Sequence, residues 1–398
     1  MPSPRSRLPG CRQNSKNSNH TAMTIGVYIH IPFCRSKCLY CHFISLPINT
    51  DMVERYQRAL IREIEIFSSL HANDKVDSIY LGGSTPSLLP APHIKEIITA
   101  CRANFSVAPD CEISIEANPD TLAQDKVEKY LECGINRISL GVQTFSDSEL
   151  QLVGRRHTRD SVIRSLHCLH KCGFVNINVD LMLGLPLQTA ASWSDNVKRL
   201  IDMAASHISV YMLDLDESTP LGQMVGSGRV RLPDEDLVAD LYLETSDRLA
   251  SCGYEHYEIS NFARPGFACR HNLKYWTRLP VYGLGLGSFS FDGHMRQANH
   301  SSLDDYLRLV EQGKLPISST EELGQRQALQ ETLFLGLRLT RGINWKRLTK
   351  KFGARAVRGY EKDLKRFCDE GLTEWNDGIV RLTKSGMLLA NEVLQVFV

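Results

Sequence analysis

Tyr28-Ile29-His30-Ile31-Pro32-Phe33-Cys34-Arg35-Ser36-Lys37-Cys38-Leu39-Tyr40-Cys41 is the stretch on which the fold turns. A short β-branched and aromatic run leads into three cysteines at C-x-x-x-C-x-x-C spacing. Pro32 cannot donate to a ladder, so the strand ends there and the chain enters a loop. Such a loop can wrap three thiolates round one metal centre, and soft thiolates select iron–sulfur clusters, zinc or copper(I). A structural zinc site closes with four ligands, and an ordinary cubane cluster takes four cysteines. Three cysteines on a four-iron cluster leave one iron free to hold a substrate. Zinc completed by His42 or His30 is one competing reading, and three unrelated reduced cysteines another.

Outward from this loop the chain alternates helix and strand. Val53, Tyr56, Leu60, Ile64 and Phe67 recur at helical spacing, behind Thr50 and Asp51 where a cap belongs. Strand-like runs follow at 77–81, 111–117, 135–143, 175–182 and 207–213, separated by helical stretches at 93–105, 127–133, 161–172 and 193–204. Counting the first run, six alternations point to an α/β fold with a parallel sheet and crossover helices. Six is short of eight, so the expected core, residues 24–230, is a partial (β/α)6 TIM-like barrel with its chemistry at the carboxyl ends of the strands. Residues 231–319 extend the sheet through runs at 254–260 and 281–291, which flank His271-Asn272-Leu273-Lys274-Tyr275-Trp276. Residues 320–398 turn helical and close with a short hairpin, a small winged-helix-like domain. Residues 1–23 read as a disordered tail, and Met23 offers an alternative start.

Polar residues at strand ends are the next signal. Gly82-Gly83-Ser84-Thr85-Pro86 follows a strand, and glycines there let a backbone approach a ligand and expose its amides; an ordinary strand-to-helix turn is the plain alternative. Glu116 ends a strand and can accept from a ribose diol, or stand as a solvated acid. Gln143 and Asp180 close otherwise apolar strands, and buried polar groups need partners. Arg155 can pair with a carboxylate or end a helix at the surface.

Taken together these motifs resemble the radical S-adenosylmethionine superfamily, in the branch holding the oxygen-independent coproporphyrinogen oxidases and the HemW-type heme chaperones. The resemblance implies a [4Fe-4S] cluster on Cys34, Cys38 and Cys41, with its open iron on the amino and carboxylate groups of S-adenosylmethionine. It implies one-electron cleavage of the sulfonium to a 5′-deoxyadenosyl radical, chemistry that belongs to the cofactor. It places Gly83, Ser84 and Thr85 at the methionine amino group, with Ser84 where the family has a third glycine. Tyr28 and Glu116 fall at the first S-adenosylmethionine, Gln143, Arg155 and Asp180 at a second, and Tyr40 where an aromatic shields the cluster.

Phe43 stands where the oxidases carry a further cysteine, and 258–266 running into His271–Trp276 is similar to the chaperones' H-N-x-x-Y-W region. His42 and Phe289 depart from the chaperones, which have Asp and His there. The implied function is a heme chaperone; the alternative is an enzyme that oxidatively decarboxylates the propionates of coproporphyrinogen III. His271 is then a candidate heme ligand with Tyr275 and Trp276 on a porphyrin face, or a structural histidine among aromatics. Heme or porphyrinogen, recipient hemoproteins and an electron donor are the implied partners.

Composition sets the outer bounds. The 398 residues carry 46 lysines and arginines against 45 acidic residues, a net charge of +1. That balance, with no concentrated basic face, gives no expectation of nucleic-acid binding or of attraction to a membrane surface. No apolar run reaches the roughly 18 residues of a membrane span, and residues 1–23 lack the hydrophobic segment of a secretory signal. Twelve scattered cysteines suit reduced thiols in the cytoplasm.

Overall fold

The computed structural model describes residues 24–71 and 74–397; the expected tail, 1–23, lies outside the described residues. Six parallel strands form the centre: β1 Thr24–Ile31, β2 Lys75–Gly83, β3 Ser106–Ala117, β4 Arg137–Gln143, β5 Ile177–Leu183 and β6 His207–Met212. Helices cross between them, among them Thr50–Leu70, Ala91–Asn104, Gln124–Glu132, Arg159–Lys171 and Ala190–Asp202. This is the expected partial barrel.

Period-two alternation explains why these strands carry both a core and a site. In β1, Ile25, Val27, Ile29 and Ile31 are buried under the helices, while Gly26, Tyr28 and His30 occupy the opposite face. Register continues that inner face across the sheet. Tyr28 lies beside Tyr80, Tyr80 beside Ser114, Glu116 beside Ser139 and Ser139 beside Asn178. The inside of the barrel is therefore polar and its outside aliphatic.

The sheet grows beyond the six strands on both sides, to twelve. Past β6 lie β7 Glu255–Glu258 and β8 Asn261–Ala263, antiparallel, with β8 against β6. Past β1 lie β9 Val281–Leu284, parallel to β1, then β10 Phe289–Phe291, β11 Met295–Asn299 and β12 Ile317–Glu322. Boundaries differ from expectation at several places: strand in the run 254–260 ends at Glu258 and resumes at Asn261–Ala263, and the strand expected at 111–117 already begins at Ser106. The run 281–291 is broken into two strands, because Gly285 (φ 102°) and Gly287 (φ 64°) turn the chain. Residues 317–322 are still strand, and helix begins at Gln325. The first crossover helix is capped by Asn49, whose side chain accepts from the Met52 amide at 3.2 Å, not by Thr50 or Asp51.

The HNLKYW segment is a short helix, Arg270–Trp276, set against the amino-terminal ends of β1–β3. Glu112 accepts the Arg270 and His271 amides at 3.1 Å each, and Lys274 pairs with Asp77 at 2.7 Å. The carboxyl-terminal region packs helices Gln325–Gly336, Trp345–Phe352, Ala354–Arg358 and Glu361–Asp369 with a three-stranded antiparallel sheet, Ile343–Asn344, Ile379–Leu382 and Thr373–Asn376. Helices followed by a hairpin give the expected winged-helix-like arrangement. One expectation fails here: the near-neutral total conceals a concentrated basic surface, because the exposed sides of residues 341–366 are almost all cationic. Among the described residues no helix is long and apolar enough to cross a membrane.

Candidate functional site

The cysteine loop is tied down at its base and its middle. Phe33–Cys34 pairs in parallel with Leu46–Pro47, and the Ile48 amide donates to the Cys34 carbonyl at 3.1 Å. The Leu39 amide donates to Val153 at 3.0 Å, and the Leu39 carbonyl accepts from Leu221 at 2.9 Å. Cys34, Cys38 and Cys41, all partly exposed, line one cavity of about 460 Å3 at the carboxyl ends of the strands. Burial raises the Cys41 thiol, opposed by its hydrogen bond to Phe43, and the neighbouring Cys38 and Cys34 add to the rise. Among the described residues no three His, Cys, Asp or Glu side chains are already closed into a metal-ligand geometry. The donor set nonetheless suits an iron–sulfur centre, being three soft thiols on one short loop facing one cavity.

Around that cavity the strand ends converge. Gly83 has φ 117°, and a Cβ there would lie 2.8 Å from the Ile31 carbonyl and from the His30 ring. Only glycine fits such a position. Ser84, in the place of a third glycine, has no left-handed backbone. Its amide donates to Ile31 at 2.9 Å, and its hydroxyl donates to the Ile44 carbonyl at 2.9 Å, fastening the far side of the cysteine loop. The Thr85 hydroxyl lies 3.3 Å from the Cys34 sulfur.

Two carboxylates sit on the inner face. Glu116 accepts from the Tyr80 hydroxyl and the Gly83 amide, each at 3.0 Å. Burial, with the Asp180 charge behind it, pushes the Glu116 carboxyl up to about 7. Asp180 accepts from Ser139 at 3.0 Å and Asn178 at 2.8 Å, and burial raises it as well. Arg155 donates to the Tyr40 hydroxyl through Nε at 2.9 Å and Nη2 at 2.6 Å, and to Asn118 at 2.9 Å. That clamp fixes Tyr40 beside the cysteines; burial pushes its phenol up to about 12.

Gln143 is the strained residue. Its φ is 68°, a left-handed value uncommon for a side chain of this size. Its side-chain oxygen is buried with no partner while the residue lines the cavity. A buried orphan acceptor facing a cavity is what a ligand donor would satisfy.

The structure thus brings Cys34, Cys38, Cys41, Tyr40, Gly83, Ser84, Thr85, Glu116, Gln143, Arg155 and Asp180 to one cavity wall. Tyr28 and His271 lie below it. The Tyr28 hydroxyl is 3.2 Å from His30 Nδ1, and its ring stacks on Tyr80 with centroids 6.2 Å apart. His271 is 1% exposed, with Nδ1 3.0 Å from the Ser78 hydroxyl and Nε2 3.3 Å from the Tyr275 hydroxyl. Burial pushes its ring down to about 3. Bonding a metal through this ring requires giving up one of those two contacts. Tyr80, Asn118 and Ser139 line the cavity too and were not singled out in the sequence. Counting by two along each strand would have found Tyr80 and Ser139.

Comparison with known proteins agrees with this geometry. Residues 28–200 match the model of the Radical SAM superfamily, and 323–389 that of the HemN C-terminal domain. The chain is 34% identical to the heme chaperone HemW of Bacillus subtilis over 371 residues, 93% of this chain and 98% of that one. It is 38% identical to the heme chaperone HemW of Synechocystis over 343 residues, 83% of this chain and 82% of that one. Its backbone follows the coproporphyrinogen III oxidase (HemN) of Escherichia coli, a radical SAM enzyme, with a TM-score of 0.82 at 24% identity, covering 94% of this chain and 90% of that one. This chain is therefore a member of the radical SAM superfamily, in the family of the HemW proteins.

Proposed function

We propose that this protein is a cytoplasmic heme chaperone that holds a [4Fe-4S] cluster and S-adenosylmethionine, binds heme and passes it to hemoproteins. The likeness to proteins named heme chaperones, spanning 98% of the Bacillus relative, carries the reading. Phe43 supports it from within the chain, standing where the oxidases have a further cysteine. Every described cysteine is a free thiol, as suits a reducing compartment.

Cys34, Cys38 and Cys41 would hold the cluster, and Gly83, Ser84, Thr85 and Glu116 would face the bound S-adenosylmethionine. Gln143, Arg155 and Asp180 would line the deeper part of the ligand site. When bound, the cluster supplies one-electron reducing chemistry to the sulfonium. The chain's own part is to fix the loop, orient the ligand against Gly83 and limit water with the Arg155–Tyr40 clamp.

An anaerobic assay with reconstituted cluster, S-adenosylmethionine, reductant and coproporphyrinogen III, followed by a heme titration, tests the proposal. The expected result is no protoporphyrinogen and a saturable heme spectrum. Protoporphyrinogen at catalytic yield would make the protein an oxidase instead.

A further inference from the structure

Residues 341–366 hold ten lysines and arginines and two acidic residues, a net +8. The rest of the chain, with 36 basic and 43 acidic residues, is −7. A near-neutral protein is thus a strongly polarised one. All ten cations are exposed. Helix Trp345–Phe352 buries Trp345 and Leu348 and turns Lys346, Arg347, Lys350 and Lys351 outward. The next helix, Ala354–Arg358, adds Arg355 and Arg358 around buried Val357. The third, Glu361–Asp369, buries Leu364 and Phe367 and presents Lys362, Lys365 and Arg366. Among the described residues only Arg366 of these ten has a carboxylate within ion-pair reach, Glu370 at 3.9 Å.

So many cations without counter-charges repel one another and weaken the folded domain unless an anionic surface meets them. The chemistry of the patch narrows what that surface is. No large apolar side chain within 341–366 is exposed, whereas protein–protein interfaces have an apolar, aromatic centre and are depleted in lysine. Nucleic acid fits less well. The hairpin tip carries Asp377, Glu374 lies beside it paired with Arg381, Trp345 is buried and Phe352 is half-buried, so the helix presents no fully exposed aromatic as a stacking platform for a base. A cluster of basic residues on an amphipathic helix, lacking apolar anchors, suits a lattice of lipid phosphates read by charge alone.

We infer that the basic surface of residues 341–366 docks the protein reversibly on anionic phospholipid membranes. Attachment is peripheral and salt-sensitive, since nothing on this surface inserts. The inference concerns a surface distinct from the cysteine cavity and does not rest on the heme reading.

Co-sedimentation of the full-length, cluster-loaded protein with vesicles tests it. Vesicles of phosphatidylcholine mixed equally with phosphatidylglycerol should carry the protein down at low salt and release it at high salt; vesicles of phosphatidylcholine alone should not. Neutralising Lys346→Gln, Arg347→Gln, Lys350→Gln and Lys351→Gln together should lower partitioning more than about a hundredfold, at roughly fivefold per charge. Unchanged iron content and circular dichroism would show that the fold is intact. Should that variant not fold, Lys362→Gln with Lys365→Gln should give a loss of about twentyfold. Sedimentation with neither vesicle, or equally with both, overturns the inference. So does tighter binding to a random duplex DNA than to the anionic vesicles at the same ionic strength.

Discussion

At the scale of single residues, position along the inner face decides what each side chain can do. Gly83 is held at φ 117° with no room for a Cβ, so Gly83→Ala should destabilise the protein by about 1–3 kcal/mol. It should also abolish retention of S-adenosylmethionine, measured by chemical denaturation and equilibrium dialysis; wild-type retention would remove Gly83 from the ligand site. Cys38→Ala should lose iron and sulfide while the protein stays folded, and unchanged iron and sulfide contents would sink the cluster assignment. His271 makes the opposite case. Removing its ring leaves the Ser78 and Tyr275 hydroxyls without their contacts, so His271→Ala should cost about 1–3 kcal/mol. The Soret band of heme-loaded protein should stay in place, and a shifted band would make His271 a ligand after all.

A buried polar pin joins elements that are far apart in the sequence. Glu63, on the first crossover helix, is 1% exposed. It accepts from Tyr306 at 2.6 Å, the Gly285 amide at 2.8 Å and Asn299 at 2.6 Å, tying the helix to the sheet extension. Burial pushes its carboxyl from 4.5 up to about 7 despite those three donors. A raised folded value means that the native state holds a proton which the unfolded chain has already released. Its stabilising contribution is therefore complete below pH about 4.5 and lost as pH rises towards about 7, a swing of about 3 kcal/mol. Denaturation of the wild type and Glu63→Gln across this range should show the flatter profile in the variant. Parallel profiles would mean that Glu63 is ionised in the folded state. Glu116 and Glu258, both raised to about 7, shift both curves alike and cancel in the difference.

The whole molecule is a polar-lined partial barrel whose open end carries the cysteine loop and whose other end meets the helix Arg270–Trp276. Alternating helix and strand periodicity made the six-stranded core legible in the sequence, because local patterning of aliphatic residues follows directly from burial on one face. The C-x-x-x-C-x-x-C spacing likewise made the cysteine loop legible, since its chemistry lies within eight consecutive residues, 34–41. The placement of HNLKYW was not legible: His271 meets Ser78 across 193 positions of sequence, a contact set by where its helix docks on the sheet. The excess of basic residues at 341–366, ten against two acidic, stands in the sequence behind a total of +1; the fold decided that all ten are exposed. The order of elements, the thiol set and the residue types at each strand end are written in local patterning, all being properties of near neighbours. Tertiary structure alone decided which strand ends share a cavity, that Gln143 keeps an orphan acceptor in it and that His271 is enclosed, because pairing and burial are long-range and no local pattern encodes them.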